Sequence, residues 1–134
     1  MITNLKIARL RDIIKFEAEG TIDLLKIKEA LKVIASVPGA FSEHDLLFDT
    51  RGAESYLSAT DIWQIAKYLS ELVHAGPSEG FTAKIAVLCP IERFDNAQFL
   101  ELCSQNRGLN VMAFTSFEEV FDWLSATTLY DDLA

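Results

Sequence analysis

The sequence predicts a single α/β domain built on a mixed sheet. Two patterns carry that prediction: apolar stretches of strand length alternate with longer stretches of helical spacing, and short breaks marked by Gly or Pro separate them. Size agrees, since 134 residues, 50% of them apolar and 24% charged, suit one domain with a substantial core.

Ile14, Phe16 and Ala18 alternate with Lys15, Glu17 and Glu19, the period of two of a half-buried strand. Leu5 to Leu10 precedes it as a hairpin partner across Arg11-Asp12. From Asp23 to Ser36, Leu24, Ile27, Leu31, Ile34 and Ala35 share one helical face, while Lys26, Lys28, Glu29 and Lys32 lie elsewhere. Pro38-Gly39 stops that helix. A buried strand, Leu46 to Asp49, leads through Thr50-Arg51-Gly52 into a second helix. There Ile62, Ile65, Ala66, Leu69, Leu72 and Val73 keep helical spacing up to Gly76-Pro77. Ala83 to Cys89 is apolar except for Lys84, which predicts a central strand covered on both faces.

A third helix spans about Asn96 to Arg107, with Asp95 as its cap, Phe94 and Phe99 at the staple positions, and Gly108 as its stop. Val111 to Phe114 forms the last strand. Ser116 and Glu119 form a capping box ahead of Phe117, Val120, Phe121 and Leu124, the stripe of a helix packed on a sheet. Residues 1–126 make the domain, and 127–134, with Asp131-Asp132, an acidic C-terminal tail that frays. The order is β-β-α-β-α-β-α-β-α, and its short connections imply parallel crossovers, most of them right-handed.

Composition excludes several functions. A formal net charge of −8 opposes docking on nucleic acid or on an anionic membrane surface. No apolar run approaches the roughly 20 residues of a membrane span. Lys6, Arg9 and Arg11 interrupt the first apolar residues, unlike a secretory signal, so the expected compartment is the cytoplasm. Cys89 and Cys103 stand where cysteine acts as a small core hydrophobe, and neither they nor His44 and His74 have metal-ligand spacing. No metal is expected. The two histidines read as surface residues, His44 between Glu43 and Asp45 and His74 at a helix end. The scattered glycines form no phosphate cradle, no serine stands in a nucleophile elbow, and Glu118-Glu119 and Glu17 with Glu19 read as solvated carboxylates. No cofactor is expected and no catalytic constellation is visible.

The crossing from Asp49 to Ile62 is where an open α/β sheet would place a ligand. Ser58 as N-cap puts Asp61 at the third helical position, a capping box, with Leu57 and Ile62 as the staple pair. Arg51 either holds a carboxylate or phosphate by two parallel bonds or pairs internally with Asp49, Glu54 or Asp61. Trp63 shares a helical stripe with Lys67, Ser70 and His74, which sets its ring near the surface. The alternative is packing at the core margin against Tyr56 or the first helix. Trp123 belongs with the core.

Several tracts together resemble the SpoIIAA-like group of STAS proteins, the domain shared by sulphate transporters and anti-sigma-factor antagonists. They are the helix after Glu19-Gly20-Thr21, the strand ending Leu47-Phe48-Asp49-Thr50-Arg51-Gly52, the strand Lys84 to Leu88, the turn Asn106-Arg107-Gly108, and the close from Ala113-Phe114 to Glu119 and Trp123-Leu124. The resemblance covers roughly residues 5–125. It implies a STAS-like fold with about four helices packed mainly on one side of a mixed sheet. It also implies action by binding a protein or a small ligand rather than by catalysis. Antagonist members carry a phosphorylatable serine in an Asp-Ser-Ser-Gly tract. Ser58 falls at that position as a phosphoacceptor, within Leu57-Ser58-Ala59-Thr60, where the preceding aspartate and the following glycine are absent.

The candidate ligand or partner surface is therefore Asp49, Arg51, Tyr56, Ser58, Thr60 and Trp63. The occupant is a protein partner or a second copy in a homodimer. The alternative is a small apolar or anionic, lipid-like ligand lodged near Phe48, Tyr56 and Phe94 with Arg51 as its anchor. A third reading, an enzyme, would use Cys89 or a serine near Asp49.

Overall fold

The computed structural model describes residues 4–10, 13–37, 44–75 and 84–133, with side chains over 13–37, 44–75 and 84–125. The expected turn at Arg11-Asp12 and the stops at Pro38-Gly39 and Gly76-Pro77 lie outside the described residues.

Antiparallel β1 (Asn4–Leu10) and β2 (Ile13–Ile22) open the chain, followed by α1 (Leu24–Ala35), β3 (Asp45–Asp49), β4 (Ala53–Ser55) and α2 (Ala59–His74). Then come β5 (Lys84–Leu88), a 3₁₀ turn (Ile91–Arg93), α3 (Phe94–Gln105), β6 (Asn110–Phe114) and α4 (Phe117–Leu133). The sheet runs β1-β2-β3-β5-β6, parallel from β2 onward, and β4 pairs with the far end of β2. The 127–133 stretch continues the backbone of α4. Among the described residues, no helix is long and apolar enough to cross a membrane.

Register explains the core. Ile14, Leu46, Ile85 and Val111 are paired in one row, and Phe16, Phe48, Val87 and Ala113 in the next row on the same face. That face carries Leu31 and Ile34 of α1, Ile65 and Leu69 of α2, and Leu100 of α3. Leu47, Ala86 and Leu88 alternate to the other face, where Val120 and Leu124 of α4 cover them. Three helices thus lie on one side and one on the other. Burying a side chain such as Leu46 or Ile85 stabilises the fold by about 2 kcal/mol each. β5 is interior and buried on both faces, which is what its apolar run requires.

Lys84 breaks that run without leaving the interior. Its Nζ donates to the Trp123 carbonyl at 2.6 Å and the Leu124 carbonyl at 3.4 Å, and stands 5.2 Å from the Trp123 ring centroid. A buried ammonium needs such acceptors. Here they tie β5 to α4.

Local chemistry sets most boundaries. Asp23 caps α1 by accepting from the Lys26 amide at 2.9 Å. Gly20, at φ 86°, bends β2 after its pairing with β3 ends at Glu17 and where pairing with β4 begins. α3 closes on a Schellman pattern, in which the amides of Leu109 and Gly108 return to the carbonyls of Ser104 and Gln105 and Gly108 takes φ 79°.

Three features differ from expectation. Strand β4 was not foreseen, because three residues are too short to show a period and become a strand only by pairing with Gly20 to Ile22. The cap expected at Asp95 is absent: the 3₁₀ turn after Pro90 feeds straight into α3, which starts at Phe94, so Asp95 falls inside the first turn. His44 is not a surface residue but only 4% exposed. The acidic neighbour Asp45 misled, since along a strand successive side chains alternate and His44 stands two residues before buried Leu46.

Candidate functional site

The end of β3 is a tightly bonded corner. The Thr50 amide and hydroxyl both donate to the Leu88 carbonyl, at 2.8 and 3.0 Å, which pins the crossing onto β5. Asp49, 7% exposed, accepts from the Arg51 amide at 3.1 Å, from Arg51 Nε at 3.0 Å and from Nη2 at 2.9 Å. Burial by itself would raise the Asp49 carboxyl. The hydrogen bonds from the Arg51 side chain and amide, with the positive charges of Arg51 and Lys15, outweigh burial and hold the carboxyl below its usual range. The same bond to Asp49 raises Arg51 further. Of the partners open to Arg51, the fold selects Asp49.

The helix start is a second self-contained unit. Ser58 Oγ accepts from the Asp61 amide at 3.1 Å, and Asp61 Oδ2 accepts from the Ser58 amide at 3.0 Å, the two halves of a capping box. Tyr56 is exposed, and its hydroxyl donates to Glu54 at 3.1 Å, a bond that raises the phenol's pKa. Thr60 is exposed. Trp63 is 46% exposed. The Lys67 ammonium lies 5.7 Å and the Arg107 guanidinium 5.1 Å from its ring centroid. His74, exposed at the end of α2, has Nε2 3.5 Å from the Arg107 carbonyl. Five of the six candidate residues therefore fall into separate local units: Asp49 with Arg51, Ser58 with Asp61, Tyr56 with Glu54, and Trp63 with two cations.

Beneath them lies a cavity of about 160 Å³. Phe16, Phe48 and Val87 line it from the sheet, and Leu31, Ile65 and Ala97 from α1, α2 and α3. The Phe16 and Phe48 rings stack with centroids 5.2 Å apart. Leu57 and Ile62, the staple pair, also line it, so the α2 start forms part of the wall. Arg51, Tyr56 and Phe94 do not line this space, whereas Phe48 does.

Polar residues on the cavity include Asp49, Thr50, Ser55 and Arg93, near the carboxyl ends of parallel strands, together with Lys26 of α1 and Asn96 of α3. Arg93 Nη2 donates to the Thr50 carbonyl at 2.6 Å, joining the two crossings that follow β3 and β5. Sequence reasoning missed Arg93. The signal was available, since the rule that singled out the crossing after Asp49 applies equally to Pro90-Ile91-Glu92-Arg93 after the next strand.

Cys89 also lines the cavity, at 2% exposure; burial pushes its thiol up, with Arg93 opposing in part, and Sγ lies 3.6 Å from the Phe114 carbonyl. His44 precedes β3 while Cys89 follows β5, at opposite ends of adjacent parallel strands. Among the described residues, no group of three or more His, Cys, Asp or Glu is placed to hold a metal ion.

No protein-family model matches the chain, and no curated protein matches it in sequence. Solved structures do. One is the crystal structure of an uncharacterised protein of the DUF3478 family with a SpoIIAA-like fold from Shewanella loihica PV-4. It is 18% identical, with a TM-score of 0.55 over 91% of this chain and 93% of that one. With its mixed sheet, three helices on one face and one on the other, this chain has the SpoIIAA-like fold.

Proposed function

We propose that this chain is a non-enzymatic STAS-like regulatory module that carries or senses a small apolar ligand in the cavity between the sheet and α1, α2 and α3. One observation carries the reading: protein interiors are close-packed, yet about 160 Å³ stays open beside the carboxyl ends of the parallel strands. A dry engineered cavity of about 150 Å³ elsewhere binds benzene, so this space suits a ring or a short alkyl chain. Buried Cys89, with its raised thiol pKa, is poorly suited to nucleophilic work. The two free cysteines suit a reducing compartment, which supports a cytoplasmic setting.

The test uses a neutral probe. Benzene-saturated buffer is expected to perturb the methyl NMR signals of Ile65, Leu69 and Val87 and to raise the melting temperature. Unmoved signals and an unmoved midpoint would reject the cavity as a ligand site.

A second reading, a protein partner or a second copy docked on α2, has its own support. Trp63 is one of the exposed large apolar side chains, and exposed tryptophan is enriched in contact surfaces.

A further inference from the structure

Arg93 is a cation on an apolar cavity. It is half-buried, and the Thr50 carbonyl takes one Nη2 proton. Among the described residues, Nε and Nη1 have no hydrogen-bond partner, and no carboxylate lies within ion-pair distance.

Asp49 is the one carboxylate among the described residues that line the cavity, and Arg51 already holds both of its oxygens. Its charge is thereby balanced from within. Cys89 is neutral, its thiol pushed up by burial. What the cavity offers an entering molecule is an apolar interior with two cationic residues on its wall, Lys26, whose Nζ donates to the Thr21 carbonyl at 3.4 Å, and Arg93, whose guanidinium has unused donors.

We propose that the cavity takes an amphiphile with a carboxylate head, its alkyl chain against Phe48 and Leu31 and its head on Arg93. The proposal rests on the reading of this cavity as a ligand site and adds the chemistry of the ligand. A guanidinium suits a carboxylate as a hydrogen-bonding partner, and the Asp49 carboxylate on the same cavity disfavours the second negative charge of a phosphate dianion. The volume sets the chain length, since space for a benzene-sized body holds an alkyl tail of about six carbons. Thr50, fixed to the Leu88 carbonyl and to Arg93, holds the guanidinium at the edge.

The experiment is a calorimetric comparison of octanoate, 1-octanol and octylamine on the full chain, repeated with Arg93→Met and Arg93→Lys. Octanoate is expected to bind at least about tenfold tighter than octanol, from hydrogen bonds to a charged group. Arg93→Met is expected to erase that preference and Arg93→Lys to keep part of it. Shortening octanoate to hexanoate is expected to weaken binding about fourfold per methylene.

Equal binding of octanoate and octanol would overturn the carboxylate assignment while leaving the cavity as an apolar site. Tightest binding by octylamine would overturn it in favour of recognition by Asp49. A preference for octanoate that survives in Arg93→Met would remove Arg93 from the role. Binding of none of the three would reject both this proposal and the ligand site. The wild-type series decides the head-group question even if Arg93→Met does not fold.

Discussion

Asp49 and Arg51 illustrate how a buried charge is tolerated two residues from its partner. The carboxylate gains three donors from one residue, so burial does not neutralise it. In the fold, its pKa lies below the ordinary 3.8, so the folded state binds fewer protons than the unfolded chain near that pH. The stabilisation is present above about pH 3.8 and is lost as pH falls through the folded value. Asp49→Asn is expected to cost about 2 kcal/mol at pH 7, with the gap from wild type closing below pH 3.8, measured by urea unfolding across pH. A constant gap down to strong acid would contradict the sign.

Trp63 behaves differently. Each cation on its ring contributes about 0.5–1 kcal/mol, so Trp63→Ala should lower stability by less than about 2 kcal/mol. Under the docking reading, the same change abolishes self-association, measured by light scattering over a concentration series. An unchanged mass with wild-type dimers intact would sink the homodimer. The helical stripe with Lys67 was legible in the sequence. Arg107 was not, because it arrives from the turn after α3, 44 positions along the chain.

At the scale of elements, local hydrogen bonding governs where helices start and how the sheet ends. Ser58→Ala removes half of a capping box and is expected to cost about 1 kcal/mol in chemical unfolding. Ser58→Asp keeps an N-cap acceptor and should cost only a few tenths. If both cost the same, capping does not account for Ser58, and a phosphoacceptor role gains weight. The edge of β6 shows the converse, a boundary closed by distant side chains. Glu101 accepts from the Ala113 amide at 2.9 Å, and Gln105 donates to the Val111 carbonyl at 3.1 Å. α3 thereby occupies outward-facing groups of an edge strand that would otherwise invite strand addition. The Ser58 box could be read from spacing alone because both partners lie within one turn. Strand β4 and the true start of α3 could not, since one needs β2 beside it and the other is set by a 3₁₀ turn with no period of its own.

For the molecule as a whole, the sheet is a septum between unequal layers. α4 covers β5 and β6 on one face, clamped by Lys84, while three helices share the other face and leave a void above Phe16 and Phe48. Filling a real void removes its cost, so Ala97→Leu is expected to raise the melting temperature by a few degrees and to abolish the response to benzene. A fall in the midpoint, the mark of overpacking, would mean that the space is not there to be filled.

The sequence alone determined the succession of strands and helices apart from β4, the two-faced burial of β5, the capping box at Ser58 and the α/β class of the fold. Each of these rests on periodicity or on bonds between residues a few positions apart. Only the tertiary structure decided that Arg51 serves Asp49, that His44 turns inward, that Trp63 meets Arg107, and that Arg93 rather than Arg51 stands at the cavity. The reason is physical. A cavity is the mismatch left when three helices dock on a twisted sheet, and it depends on volumes and registers contributed by residues far apart in the chain. Local patterns do not encode that sum.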